Sequence, residues 1–359
     1  MRNRALHAMR ALALCTACVM SFTTVQAFAA GNAKENVLAS NTPTPQEQGK
    51  DKKDKKDVPK VPEAELKAAK AIEAITDVPA MIAAVGEFIK KYPNSALRPQ
   101  LAPLVAERIG LTQDPAQQIA QSESYLKVFN APGDADLVNP HLVSAYTSVN
   151  RFDDAFALAA TALDKNPDPL AAMINLTRGG LQEAEKGNGK YIEQSKQYGL
   201  KAVELIEGNK KPEKVSDARW ADYRTKWLPQ LYQWLAIISL RSGDKADAKA
   251  KITKAVGLNP HDPINYVVMS NMANDEYQRL AQEHKAATGT DKAALLKKAE
   301  AQMDEVIDAY AHAIALTEGN PQYDAMRVGL KADLEGYYKY RHNNSTEGLQ
   351  ALIDKYKKP

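Results

Sequence analysis

The chain has 359 residues, with 47 lysines and arginines, 44 aspartates and glutamates, two cysteines, 44% hydrophobic and 7% aromatic residues. That length suits one elongated or two compact domains, and the apolar content allows a sizeable core. The formal charge of +3 is matched by three arginines ahead of residue 11, which leaves no general positive field for nucleic acid or an anionic membrane to answer.

Residues 1–29 carry Arg2, Arg4 and Arg10 without an acid, an apolar run from Ala11 to Phe22, and the ending Ala27-Phe28-Ala29. A basic start, a short apolar stretch and a small-x-small end predict a secretory signal peptide cut before Ala30. The run holds about a dozen residues where a membrane span takes about 20, so no transmembrane segment is expected. Cys15 and Cys18 both fall in this leader. The residues ahead of them, Leu12-Ala13-Leu14 and Cys15-Thr16-Ala17, do not follow the Leu-small-small-Cys of a lipoprotein signal. Neither a lipid anchor nor a redox pair is therefore expected. The leader has a bacterial look, and the mature chain is expected in the periplasm or outside the cell.

Residues 30–60 are polar, with Pro43, Pro45, Pro59 and the run Lys50-Asp51-Lys52-Lys53-Asp54-Lys55-Lys56-Asp57. Such a segment buries too little apolar surface to offset its chain entropy and reads as a disordered Lys/Asp/Pro-rich tether.

From residue 61 to 359 the pattern becomes Ala-rich, with Leu and Ile at helical spacing and breaks at Asn-Pro, Asp-Pro and Gly-Asp. Phe152, Ala155, Phe156, Ala159 and Leu163 recur at three and four, and the chain punctuates itself into roughly fourteen such helices. Asn166-Pro167-Asp168-Pro169 closes one helix and opens the next. The helices pair, and the pairs repeat. From Pro229 to Pro260 come Leu235-Ala236, a turn at Gly243-Asp244, then Ala248, Ile252 and Ala255. A second unit has Leu142, Val143, Tyr146, a turn at Asn150-Arg151, then Ala155, Ala159, Ala162 and Pro167. Counted back from the closing proline, the second-helix residues stand at 12, 8 and 5 in both units. Small residues there let the second helix approach the first, and one pair leaves an apolar face that a neighbouring pair must cover.

These residues resemble the tetratricopeptide repeat family. Its pattern sets a large and a small apolar residue on the first helix, Gly at the turn, Ala, an aromatic and Ala on the second helix, then Pro. Ile252 stands at the aromatic position, Ser239 where Tyr is usual, and Asn150 at the turn glycine. Fainter units hold Val306, Tyr310 and Ala313 before Pro321, Met81, Val85 and Phe88 before Pro93, and Ser195, Gly199 and Ala202 within 168–207. The resemblance implies an all-α fold over 61–359, a TPR-like α-solenoid of about seven antiparallel helix pairs. Closing prolines 74, 93 and 61 residues apart make it irregular, with insertions or lengthened helices at 213–228 and 262–290.

Catalytic patterns are missing. His141, His261, His284, His312 and His342 are scattered, there is no Gly-x-Ser-x-Gly, and Ala184 and Tyr191 spoil a phosphate loop around Gly187-Asn188-Gly189-Lys190. No catalytic residue, metal or cofactor is expected, and the chain is read as not an enzyme. Trp220, Trp227 and Trp234 fall seven apart with Tyr223, Leu231 and Ile238. This stripe serves either packing between pairs or an aromatic-lined groove, and Pro229 allows its halves to fall on different helices. Tyr337, Tyr338 and Tyr340 with Lys339, Arg341 and His342 suit a polar cap on the last repeat. The first-helix face offers Gln230, Gln233, Ile237 and Arg241, and in the other unit Leu137, Pro140, Ser144 and Thr147. It lacks the Lys and Asn set with which some family members hold a C-terminal carboxylate. The expected function is a non-enzymatic protein-binding scaffold of the bacterial cell envelope, with an unidentified protein or peptide as partner. Its candidate contacts are Gln230, Gln233, Ile237, Arg241, Trp220 and Trp227. The second reading is a protein bound to cell-wall glycan or engaged in outer-membrane assembly, using the tryptophan stripe. Phe88-x-x-x-Tyr92-Pro93-Asn94-Ser95 resembles repeats of outer-membrane assembly components.

Overall fold

The computed structural model of the protein describes residues 61–163, 169–213 and 215–357. The leader and tether expected over 1–60, and the closure at Pro167, lie outside them. Among the described residues every regular element is helical and none is a strand. No helix there is long and apolar enough to cross a membrane. The chain divides into two compact units, with the division between residues 166 and 167. Each is built of helix pairs packed on their chain neighbours in the manner of an irregular α-solenoid.

The first unit holds α1 (Glu63–Glu73), α2 (Val78–Lys91), α3 (Arg98–Gly110), α4 (Pro115–Val128), α5 (Asp134–Ser148) and α6 (Phe152–Ala162). Aspartates start two of these helices: Asp77 accepts from the Ala80 N–H and Asp114 from the Gln117 N–H, both at 2.9 Å. Pro79 and Pro115 sit in the first turn, where a missing N–H costs nothing. Met81, Val85 and Phe88 of α2 bury against Val105 and Ile109 of α3, Tyr125 of α4 and Val138 of α5. Arg98 binds Asp134 and lies 5.7 Å over the Phe129 ring, tying α3 to the start of α5. Asn150 has a φ of 60°, so it supplies the left-handed turn that Gly243, at 80°, supplies in the other unit.

The second unit begins with α7 (Pro169–Glu185) and α8 (Ile192–Glu207), followed by α9 (Asp217–Asp222), a π turn (Tyr223–Trp227), α10 (Leu228–Arg241) and α11 (Lys245–Leu258). It ends with α12 (Pro263–Ala286), α13 (Thr290–Thr317), α14 (Asp324–Arg341) and α15 (Leu349–Asp354). Residues placed at repeat positions by their spacing are buried in both units, among them Leu235, Ala236, Ala248, Ile252, Ala255, Leu142, Ala155, Ala159, Ala162, Ser195, Ala202, Val306, Tyr310 and Ala313. The 61-residue gap between Pro260 and Pro321 has its source in α12 and α13, which are 24 and 28 residues long. Pro229 does not split the tryptophan stripe. The π turn just before it widens the helix where the proline ring would meet the carbonyl four residues back, so Asp217 to Arg241 follow one helical path.

Two first-to-second helix contacts hold the repeat closely. In α7 and α8 the buried Ser195 hydroxyl donates to the Leu176 carbonyl at 3.2 Å, and Thr177 to that of Met173 at 2.7 Å. One turn on, a Cβ at Gly199 would stand 2.9 Å from Leu235 Cδ2 and 3.0 Å from Thr177 Cγ2, so three helices converge on a hydrogen atom. In α10 and α11, Ser239 donates to Asp247, which also receives Lys251 and lies 3.6 Å from Lys196 of α8. Burial works against the Asp247 charge, but the bonds from Lys251 and Ser239 outweigh it and hold the carboxyl below its ordinary range.

Candidate partner-binding face

The candidate residues lie in the second unit, Trp220 on α9, Trp227 at the end of the π turn and the other four on α10. On α10, Gln233 is 3% exposed. Its amide nitrogen donates to Asp262 Oδ2 at 3.0 Å and Asn265 Oδ1 at 2.8 Å, while its oxygen accepts from Gln230. Asp262 caps α12 through the Ile264 N–H at 2.9 Å, and Asn265 donates to the Asn259 carbonyl at 3.0 Å. Burial raises the Asp262 pKa, against the lowering effect of the Ile264 N–H and the Gln233 amide. The network thus joins α10 to the turn that starts α12. Ile237 is half-buried in the next turn of α10.

Arg241 is exposed but donates to the Ala184 carbonyl at 3.3 Å, so it satisfies the open C-terminal end of α7. Beside it, burial raises the Glu185 carboxyl and the Arg241 charge pulls it back. Trp220 and Trp234 are each 8% exposed, and Trp227 is half-buried with its ring 6.3 Å from Trp234. Trp220 meets Tyr223 edge-on at 6.5 Å and points its indole N–H at Asn209 Oδ1, 3.4 Å away. In the other unit Pro140 and Thr147 are buried, Ser144 is half-buried and Leu137 is 37% exposed.

Residues the sequence reading passed over lie on α7. Asn175, Arg178, Gln182 and Glu185 recur at three, four and three, which puts them on one helix face. Arg178 is exposed although its chain neighbours Thr177 and Gly179 are buried. Burial nevertheless lowers its pKa, with no carboxylate acting in the other direction. The guanidinium is thus reachable by solvent and crowded by protein at once. Among the described residues the side chains of Asn175, Arg178 and Gln182 make no hydrogen bond and no ion pair. The three-and-four spacing of polar residues in a largely apolar helix was the available signal for this row.

Among the described residues no three His, Cys, Asp or Glu side chains converge as metal ligands would. The tyrosine group near the end is tied inward: Tyr337 donates to Asn274 Oδ1 at 2.6 Å and Tyr338 to the Glu347 carbonyl at 2.7 Å. Burial pushes the Tyr337 phenol up to about 12. Tyr340, by contrast, is 75% exposed. Compared with known proteins, the chain matches no family model and no curated sequence.

Proposed function

We propose that the chain is a non-enzymatic interaction scaffold of the bacterial cell envelope, built of tetratricopeptide-like pairs, and that it presents the α7–α10 face to a protein or peptide. The unbonded row Asn175, Arg178 and Gln182 carries this reading. Side-chain amides donate and accept, and a guanidinium donates in a fork, which suits the N–H and C=O groups of an extended peptide and an acidic side chain on it. The row spans seven residues, about 10 Å of helix, the length of about three residues of extended chain. Ile237 of α10 offers an apolar contact beside Gln230 and Arg241. Export is supported by the leader pattern of residues 1–29.

A photo-crosslinking residue at Gln182 tests this in cells. The expected result is a discrete adduct from position 182, none from position 254 on the outer side of α11, and loss of the adduct on Arg178→Glu. Equal adducts from both positions, or an adduct indifferent to R178E, would remove the α7–α10 face as the binding surface.

A further inference from the structure

The chain's last described segment, α15 and residues 355–357, is seated on α13 by a small set of contacts. The His312 ring of α13 lies between two tyrosines. Its centroid is 3.6 Å from that of Tyr266 on α12 and 4.2 Å from that of Tyr356, with interplanar angles of 30° and 12°. One turn earlier, Asp308 accepts from the Tyr356 hydroxyl and lies 3.6 Å from Lys355 Nζ. Lys357 meets Glu318 at 2.8 Å, and Ile353 is buried, with Leu349 and Leu352 partly buried, against the apolar cluster that includes α13. A helix of six residues is not stable alone, so the place of α15 rests on these contacts.

His312 is the titratable member of the stack. Facing it are Asp308 on its own helix, Lys355 and Tyr356 from the C-terminal segment, and Tyr266 with His261 from α12 and the turn ahead of it. An imidazolium has two N–H groups to satisfy, and among the described residues neither ring nitrogen of His312 has a hydrogen-bond partner. Asp308, the one acid facing it, is already engaged by Tyr356 and Lys355. Burial lowers the His312 pKa, Asp308 opposes this, and His261 and Lys355 add to it.

We propose that residues 349–357 are an acid-released strap, which detaches from α13 when His312 takes up a proton. Release frees the ring to solvent, where its pKa returns to about 6.5. The released form therefore binds the proton more readily, and falling pH favours it. Detachment uncovers Tyr266, His312 and the apolar seat of Ile353.

Amide hydrogen exchange on the full chain tests this at Lys355 and Tyr356, whose N–H groups are bonded within the strap, and at Leu352, which donates to the Gly348 carbonyl at its start. After division by intrinsic rates, the opening constant is expected to rise between pH 7.5 and 5.5 by several-fold and at most about tenfold, the limit for one proton and a released pKa near 6.5. His312→Phe keeps a ring in the stack without a titrating group and is expected to abolish the rise. Amides of α10 are expected to be unchanged in both proteins. A flat wild-type profile, an equal rise in H312F, or a parallel change in α10 would each overturn the strap. Independently of any variant, NMR titration of the His312 ring in the wild-type chain should give a pKa below the ordinary value; one at or above it would also overturn the proposal.

Discussion

Gly199 is where the residue scale decides the packing. An added Cβ would press on Leu235 and on Thr177, whose hydroxyl is already committed to the Met173 carbonyl. Gly199→Ala sets that pressure against a gain of about 1 kcal/mol in helix propensity. Gly199→Val adds more bulk with less of that compensation and is expected to destabilise the second unit by about 1–3 kcal/mol. Denaturant unfolding followed by tryptophan emission checks this, since Trp220, Trp227 and Trp234 all lie in that unit. Equal stability for G199V and wild type would mean that α8 and α10 are not in such close contact. The spacing of Ser195, Gly199 and Ala202 marked the small-residue face in the sequence. Its reason, a third helix arriving at Gly199, depends on Leu235, which lies 36 residues further on.

At the scale of elements, the helix pairs were legible because their determinants are local. Ala248, Ile252 and Ala255 repeat the offsets of Ala155, Ala159 and Ala162, and Asp-Pro starts and left-handed turns at Asn150 and Gly243 mark the boundaries. The π turn before Pro229 was not legible, because a proline in a helical pattern signals a break unless the preceding turn can widen. The candidate face was only half legible. Gln230, Gln233 and Arg241 look like free surface in the sequence, but two of them bond across helices to Asn265 and Ala184. Gln233→Ala would leave the Asn265 and Asp262 oxygens without their amide donor in a buried place. The expected cost is about 1–3 kcal/mol, read as a lower denaturation midpoint of the second unit at unchanged slope. A Q233A protein as stable as wild type would show that water replaces the amide there and that Gln233 is available to a partner.

For the whole molecule, the two compact units differ in what they can report. Residues 61–163 contain no tryptophan and the second unit contains all three, so tryptophan emission follows one unit while far-ultraviolet circular dichroism follows both. Each unit also has its own acid sensitivity. In the first, the His141 ring of α5 fills the space left by Gly110 at the end of α3, where an added Cβ would stand 2.7 Å from Cε1. Burial lowers the His141 pKa, with no carboxylate counteracting it. On unfolding the ring returns to an ordinary value near 6.5. The unfolded unit then binds a proton that the folded one disfavours, so this stability is intact above about pH 7 and is lost as the pH falls below about 6.5. In the second unit His312 acts on α15 and does not touch the tryptophan helices. Thermal scans at pH 7.5 and 5.5 should therefore show a dichroism transition with no counterpart in tryptophan emission, and acid should move it to lower temperature. His141→Leu removes the titrating group, and its tryptophan-silent transition should lose most of its pH dependence while the tryptophan transition stays in place. If H141L shifted both transitions together, the units would unfold as one cooperative body, and separate stabilities for them would have no meaning.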